Sequence, residues 1–330
     1  MCEFEANSDD YESLDSAWSC PHEPLSSSGS GLCVFHISPD DRNSLGVSDE
    51  EVHNRLIEVI ETGGREEKRL IGANIPFLNF DYQIVDGSNR YPLDLRGSKI
   101  GHIDFRHADV KIPLRLEGSE MGDIEFGNAT LEKGVYFEGS EIDEIDAFEA
   151  VFSGDADFAE TNFEGETSFD EADFDDDVNF DGAVYNGETS YMGAEFHGES
   201  TLIEDNTSFD GAEFHTEARF DHARFEYTTF HGVTFHSLAG FEKAKFAETE
   251  FEGEADFDEV FFGEDTAFDD AHFHETANFR GVEYAGGATV LQDDATFERV
   301  VFEDGTNFRE ADFEFADFRE AEFRGHAMFE

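Results

Sequence analysis

Three cysteines and one histidine near the start of the chain are the residues best suited to chemistry. Cys2, Cys20 and Cys33 are the only cysteines in 330 residues. Cys33 and His36 form a Cys-x-x-His pair, a short chelating spacing. Cys20 adds a third donor, and either Cys2 or His22 completes four. Thiolate and imidazole are donors that tetrahedral zinc prefers, so the set reads as a Cys₃His or Cys₂His₂ zinc site. An odd cysteine count without a visible secretory signal argues against a disulfide framework. The segment, residues 1–40, is short and polar, with a Ser/Gly stretch over 26–31. It cannot bury a real core, so metal would supply its folding energy.

The elements that must carry this set follow it. Residues 38–46 read as a linker of Ser-Pro-Asp-Asp and Asn-Ser-Leu-Gly. A helix is expected over 48–64. Ser48 is its N-cap, Glu51 completes a capping box, and Gly63-Gly64 stops it. Val52, Leu56, Val59 and Ile60 make an apolar stripe, which is expected to cap the open end of the next element.

That element is a repeat. From Phe152 to Phe329 an aromatic residue returns every five or six positions, as in Phe209, Phe214, Phe220, Phe225, Phe230, Phe235, Phe241 and Phe246. A small residue stands two positions earlier, as at Ala212, Ala218, Ala223, Val233, Ala239, Ala244 and Ala255. A period of five fits neither a helix nor a flat strand. Sustained repetition of this kind marks a solenoid. Residues 70–150 look like degenerate coils with Ile, Leu and Val inside, and 151–330 like regular ones. The longer steps often carry a polar pair such as Gly165-Glu166 or Gly198-Glu199, which reads as a turn with one added residue. Two thirteen-residue gaps, Phe196 to Phe209 and Tyr284 to Phe297, contain Leu202-Ile203 and Val290-Leu291 and are expected on one side of the tube.

Units such as Ala-Glu-Phe-His-Thr, Ala-Arg-Phe-Glu-Tyr and Ala-Asp-Phe-Arg-Glu resemble the pentapeptide-repeat family. The resemblance covers about half the chain clearly. It implies an all-β fold, a right-handed quadrilateral parallel β-helix with Phe and the preceding Ala pointing inward, here with a short N-terminal helical cap. About 225 residues at 20–22 per coil give some ten coils and a rod on the order of 50 Å. The Cys-x-Phe-His ending resembles zinc knuckles that precede such arrays in haloarchaeal proteins. By that resemblance the preferred zinc ligands are Cys2, Cys20, Cys33 and His36, with His22 as the alternate.

The chain holds 80 acidic and 21 basic residues, a formal charge of −59. Its 38 phenylalanines at regular spacing argue against disorder, so the charge decorates a folded object. At molar salt the Debye length falls to about 3 Å, and the charge reads as adaptation to such salt. A positive surface for direct nucleic-acid binding is excluded. No apolar run of membrane-spanning length occurs, and a cytoplasmic location is expected. Acidic residues fall in almost every unit, so none is singled out as catalytic. Outward histidines such as His197, His215, His222, His231, His236, His272 and His274 are expected to be solvated. No nucleophile-elbow, phosphate-loop or His-Glu-x-x-His motif is present. The expected function is therefore a non-enzymatic, protein-binding scaffold with a partner of unknown identity. A homo-oligomer through the uncapped C-terminal coil is a further expectation. The family resemblance offers two rivals, a DNA-mimic inhibitor of a topoisomerase and the accessory domain of a membrane ion channel.

Overall fold

In the computed structural model, the described residues are 1–7, 17–26, 29–86, 90–197, 207–216, 218–220, 222–225, 228–231, 233–235, 244–246, 249–251, 255–258, 260–262, 266–284, 295–313 and 316–329. One coil shows how the chain is built. Asn162–Phe163, Thr167–Ser168, Asp173–Phe174 and Val178–Asn179 lie in turn on four faces. Each strand pairs in parallel with the preceding coil, in the register Ile142↔Phe163, Ile145↔Thr167, Phe152↔Phe174 and Ala156↔Val178. The result is a parallel β-solenoid. The third face stacks eleven strands, from Ile84–Val85 to Glu322–Phe323, and the fourth stacks eleven, from Leu93–Asp94 to Ala327–Met328. These stacks include the aliphatic coil that begins at Asn74–Ile75.

The repeat produces this shape because each unit sends one large side chain inward. On the third face, Phe152, Phe174, Phe196, Phe225, Phe251 and Phe273 stack with centroid separations of 4.7, 4.9, 4.8, 5.4 and 4.4 Å. Those values bracket the roughly 4.8 Å spacing of hydrogen-bonded strands, so backbone and rings share one repeat. Ala212, Ala218, Ala223, Val233 and Ala255 are buried, which fits a tube with room for one large and one small side chain per unit. Phe241 and Ala239 lie outside the described residues, as do the side chains of Phe235 and Ala244. In the earlier coils Ile100, Met121 and Ile142 take the inward places on the first face, and Val85, Val110 and Leu131 on the third.

The added residue in the longer step has a visible effect. Lys99–Asp104, Glu120–Glu125 and Glu141–Asp146 each cross the first two faces as one six-residue strand. From Asn162 onward the same path is two two-residue strands, and Gly165-Glu166 sits in the break. Corners between the second and third faces need a left-handed residue. There Ala108 N–H donates to Phe105 O at 2.9 Å, and His107 has φ 56°. Asn128, Glu149 and Glu171 repeat that geometry at φ 58°, 52° and 56°. Such residues pay about 1–2 kcal/mol for left-handed backbone, which the paired coils on both sides hold in place.

Residues 38–46 are not a linker. Pro39–Leu45 form helix α1, with Ser38 as N-cap accepting from Asp41 N–H and Gly46 as C-cap at φ 73°. The signals were present: proline in the first turn, Asp40 and Asp41 beside it, glycine at the end. Helix α2 spans Asp49–Thr62, and Ser48 Oγ accepts from Glu51 N–H at 3.2 Å. It buries Val52, His53, Leu56 and Ile60, while the His53 ring lies 4.8 Å from Phe77 and 6.1 Å from Phe80.

One surface expectation changes. The thirteen-residue gaps do not share a side. One leaves the third face after Glu195–Phe196 and returns on the fourth at Thr207–Ser208. The other leaves the first face after Glu283–Tyr284 and returns on the second at Ala295–Thr296. Leu202, Ile203, Val290 and Leu291 themselves lie outside the described residues. Basic residues of the early coils are ion-paired. Arg106 binds Asp104 at 2.8 Å and Glu125 at 2.7 Å, and Lys111 binds Asp109 and Glu132 at 2.7 Å each. Among the described residues no helix is long and apolar enough to cross a membrane.

Candidate metal centre

The knuckle is a small antiparallel ladder folded against the first coil. Glu5–Ala6 pairs with Trp18–Ser19. The ladder continues as Cys20 N–H donates to Phe4 O at 3.1 Å and Cys2 N–H to His22 O at 2.7 Å. Those bonds bring Cys2 and Cys20 together. Gly31 O accepts from Glu3 N–H at 2.9 Å, and a Cβ at Gly31 would lie 2.4 Å from Glu3 Cδ. With φ at 71° as well, the place suits glycine. The chain then turns at Cys33, whose carbonyl accepts from His36 N–H and Ile37 N–H at 3.2 and 3.1 Å.

The donor atoms of Cys2, Cys20, Cys33 and His36 all lie within 4.8 Å of one another, and all four residues are buried. Cys20 Sγ and Cys33 Sγ are 3.8 Å apart, far beyond a disulfide bond of about 2.05 Å. They match the edge of a tetrahedron with metal–sulfur bonds of about 2.3 Å, which is about 3.8 Å. His36 Nδ1 is 3.2 Å from Cys33 Sγ and 3.9 Å from Cys2 Sγ. Its Nε2–H donates to Ile71 O at 2.9 Å, which leaves the Nδ1 lone pair facing the sulfurs. Cys33 N–H donates to Cys2 Sγ at 3.1 Å. The ring of Phe4 covers His36 at 4.0 Å, with Trp18 at its edge.

The thiols share their protons unevenly. The hydrogen bond from Cys20 and the nearby His36 hold the Cys33 thiol down at about 4, against burial. The same bond and burial push Cys20 up. Burial also raises Cys2. Three crowded thiolates repel one another, so ionising all of them calls for a cation. A divalent ion with all three ionised would leave a single net negative charge, so the donor set fits zinc.

His22 stands outside this cluster. Its Nε2–H donates to Glu67 O at 2.9 Å, and its ring lies edge-on to Phe35 at 5.1 Å. The covering Phe4 and Trp18, and the Ile71 carbonyl that sets the His36 tautomer, carry no cysteine-like signal in the sequence. The centre is fastened to the solenoid directly. Asn74 N–H, on the first strand of the first coil, donates to Phe35 O at 2.7 Å, and the Arg42 guanidinium of α1 donates to Asn74 O. The expectation of solvated outward histidines does not hold at His272 and His274, which are half-buried, hydrogen-bonded to carboxylates and stacked on each other.

A family profile described as pentapeptide repeats (9 copies) matches residues 147–190, 199–245, 246–290 and 287–330, together more than half of the chain. A comparison with curated proteins finds no match. Among solved structures, one similar chain is HetL, a pentapeptide repeat protein involved in heterocyst differentiation regulation from the cyanobacterium Nostoc sp. strain PCC 7120. It is 14% identical over 73% of this chain and 90% of that one, with a TM-score of 0.18. A second is full-length QnrB1, a plasmid-mediated fluoroquinolone resistance protein, 16% identical over 79% of this chain and 90% of that one, with a TM-score of 0.16. Scores this low add nothing to the assignment, which rests on the strand register and the matched repeats. The chain belongs to the pentapeptide-repeat family.

Proposed function

We propose that the protein is a non-enzymatic interaction scaffold, adapted to high salt and working in the cytoplasm, whose N-terminal knuckle holds a structural zinc ion. One observation carries the scaffold reading. The interior is filled by stacked rings, such as Phe158, Phe180, Phe209 and Phe230 at successive separations of 5.1, 4.8 and 4.9 Å. A ligand therefore meets only the outside of the tube, whose polar side chains are mostly carboxylates. Cys2, Cys20, Cys33 and His36 would hold the zinc, and the ion would close the knuckle against Ile71 and the first coil. It supplies folding energy there and no reaction chemistry.

Two measurements test this reading. Purified protein should carry one zinc per chain and Cys33→Ser should carry none; equal zinc in both rejects the site. For the scaffold, cross-linking in the native host should identify a partner whose complex re-forms from purified components. Charge reversal at outward carboxylates should weaken that complex. Substrate turnover by the purified chain would sink the scaffold reading.

A further inference from the structure

A second donor cluster lies far along the tube, on the third face. Glu250–Phe251 and His272–Phe273 are neighbouring parallel strands with Glu250 opposite His272. Phe251 and Phe273 stack inside, so Glu250 and His272 stand side by side outside. His274 follows, its N–H donating to Phe251 O at 2.9 Å, and its ring stacks on that of His272 at 3.9 Å. The donor atoms of Glu250, His272 and His274 lie within 4.8 Å of one another.

The hydrogen bonds leave one contact unexplained. His274 Nε2 binds Glu250 Oε2 at 2.9 Å. His272 Nε2 lies 3.1 Å from Glu303 Oε1 on the next coil. A carboxylate only accepts, so the His272 Nε2 proton is committed to Glu303. The Nδ1 of a neutral His272 then presents a lone pair to Glu250 Oε2 at 3.5 Å. Two acceptors facing each other repel unless a proton or a cation lies between them. A proton on His272 Nδ1 is one way to fill that gap, and a metal cation is the other. A carboxylate holding the remote nitrogen of a histidine is also the arrangement that orients metal-binding imidazoles. Glu303 is itself fixed by the Arg324 guanidinium.

We infer that Glu250, His272 and His274 form a second metal site for a divalent transition cation. Its donors are the Glu250 carboxylate, His272 Nδ1 and His274 Nε2, with Glu303 as the positioning residue. Two imidazoles and one carboxylate select zinc, nickel or copper over magnesium or calcium. Three protein donors leave a coordination position for water or for a donor from another molecule. A third cluster, His102, Asp104 and Glu125, serves as contrast. There Arg106 already lies on both carboxylates, 2.8 Å from Asp104 and 2.7 Å from Glu125, and fills the place of a cation.

The test is calorimetric titration of Ni²⁺ into the full chain, at high salt in a non-chelating buffer, after the knuckle has been loaded with a single equivalent of zinc and unbound zinc removed. One saturable site is expected. His274→Ala and Glu250→Gln should each weaken it by about tenfold or more, Glu303→Gln by about tenfold through loss of orientation, and His102→Ala not at all. Far-UV circular dichroism confirms that each variant is folded. Bound Ni²⁺ should also raise the unfolding midpoint of the wild type and not of His272→Ala. Absence of saturable binding would overturn the proposal and leave a protonated His272 bridging Glu250 and Glu303. Binding unchanged in His272→Ala would overturn it too.

Discussion

Two tyrosine hydroxyls meet inside a tube filled mostly by phenylalanine and aliphatic side chains. Tyr185 and Tyr191 are fully buried, and their oxygens are 2.7 Å apart. Tyr185 stacks between Phe163 and Phe214 at 4.8 and 4.4 Å, and Tyr191 between Phe169 and Phe220 at 5.2 and 5.1 Å. Phenylalanine therefore fits both columns. Tyr185→Phe alone removes the bond and strands the Tyr191 hydroxyl, at a cost of about 1–3 kcal/mol. Tyr191→Phe alone should cost the same. Changing both removes the polar pair together, and the double variant should match the wild type within about 1 kcal/mol. The coupling energy of the cycle is then at least about 1 kcal/mol, above the few tenths by which independent sites scatter. Denaturant unfolding at fixed high salt measures it. Amide exchange on strands Val184–Tyr185 and Thr189–Ser190 checks that the loss is local, since long repeat arrays need not unfold in two states. Single effects that simply add in the double variant would refute the reasoning, because each hydroxyl would then have its own partner.

Other expectations follow from the same packing and charge. Phe225 is buried between Phe196 and Phe251, so Phe225→Ala should cost about 3–5 kcal/mol, while the exposed Glu213→Ala should leave the unfolding midpoint nearly unchanged. Lowering salt from about 2 M to about 0.05 M should weaken the β signal in circular dichroism reversibly, because register places Glu120 beside Glu141 and Asp173 beside Glu195; an equal signal in both would remove the salt-adaptation argument. In dilute salt, mild acid should restore stability. Burial and neighbouring carboxylates raise Asp157, Glu138 and Asp173 in the folded state. Those groups bind protons more tightly folded than unfolded, so stability falls as pH rises through their folded values. Asp104 and Asp270, held down by Arg106 and Arg299, act oppositely and lose their contribution only in stronger acid. Finally, supercoiling by a salt-tolerant gyrase should proceed unimpeded; inhibition at sub-micromolar protein would promote the DNA-mimic reading over the scaffold.

The core was legible in the sequence because it depends on one residue per unit. A phenylalanine every five or six positions is a local signal, and its burial follows without knowledge of register. The knuckle was legible for a related reason: cysteines are rare in this chain, so three beside His36 stood out. What the text hid was register. Arg106, Lys111 and Arg324 look like scattered surface cations until the coils are stacked. Each then bonds one carboxylate two residues before it and another 19 or 21 residues away on the neighbouring coil. Helix α1 was hidden differently, since its Ser-Pro-Asp-Asp start is equally a turn signal and only packing against Asn74 separates the two.

Register also explains why a chain this acidic need not be uniformly repulsive. Coil length decides which side chains meet. Lys111 reaches Glu132 over 21 residues, Arg280 reaches Asp258 over 22, and Arg299 reaches Asp270 over 29. The last pairing crosses residues 285–294, which lengthen that coil. Across that longer step Arg299 still faces Asp270, because the pairing of Val301–Phe302 with His272–Phe273 sets the rung. Segments added at corners therefore change the sequence distance between partners and leave the ladder intact. This lets a solenoid accept insertions at opposite corners while keeping its few cations between carboxylates. It also means that charge pairing cannot be read at a constant spacing, even when the phenylalanines can. Carboxylates that face each other across a rung, such as Asp123 and Glu144, are where screening by salt acts.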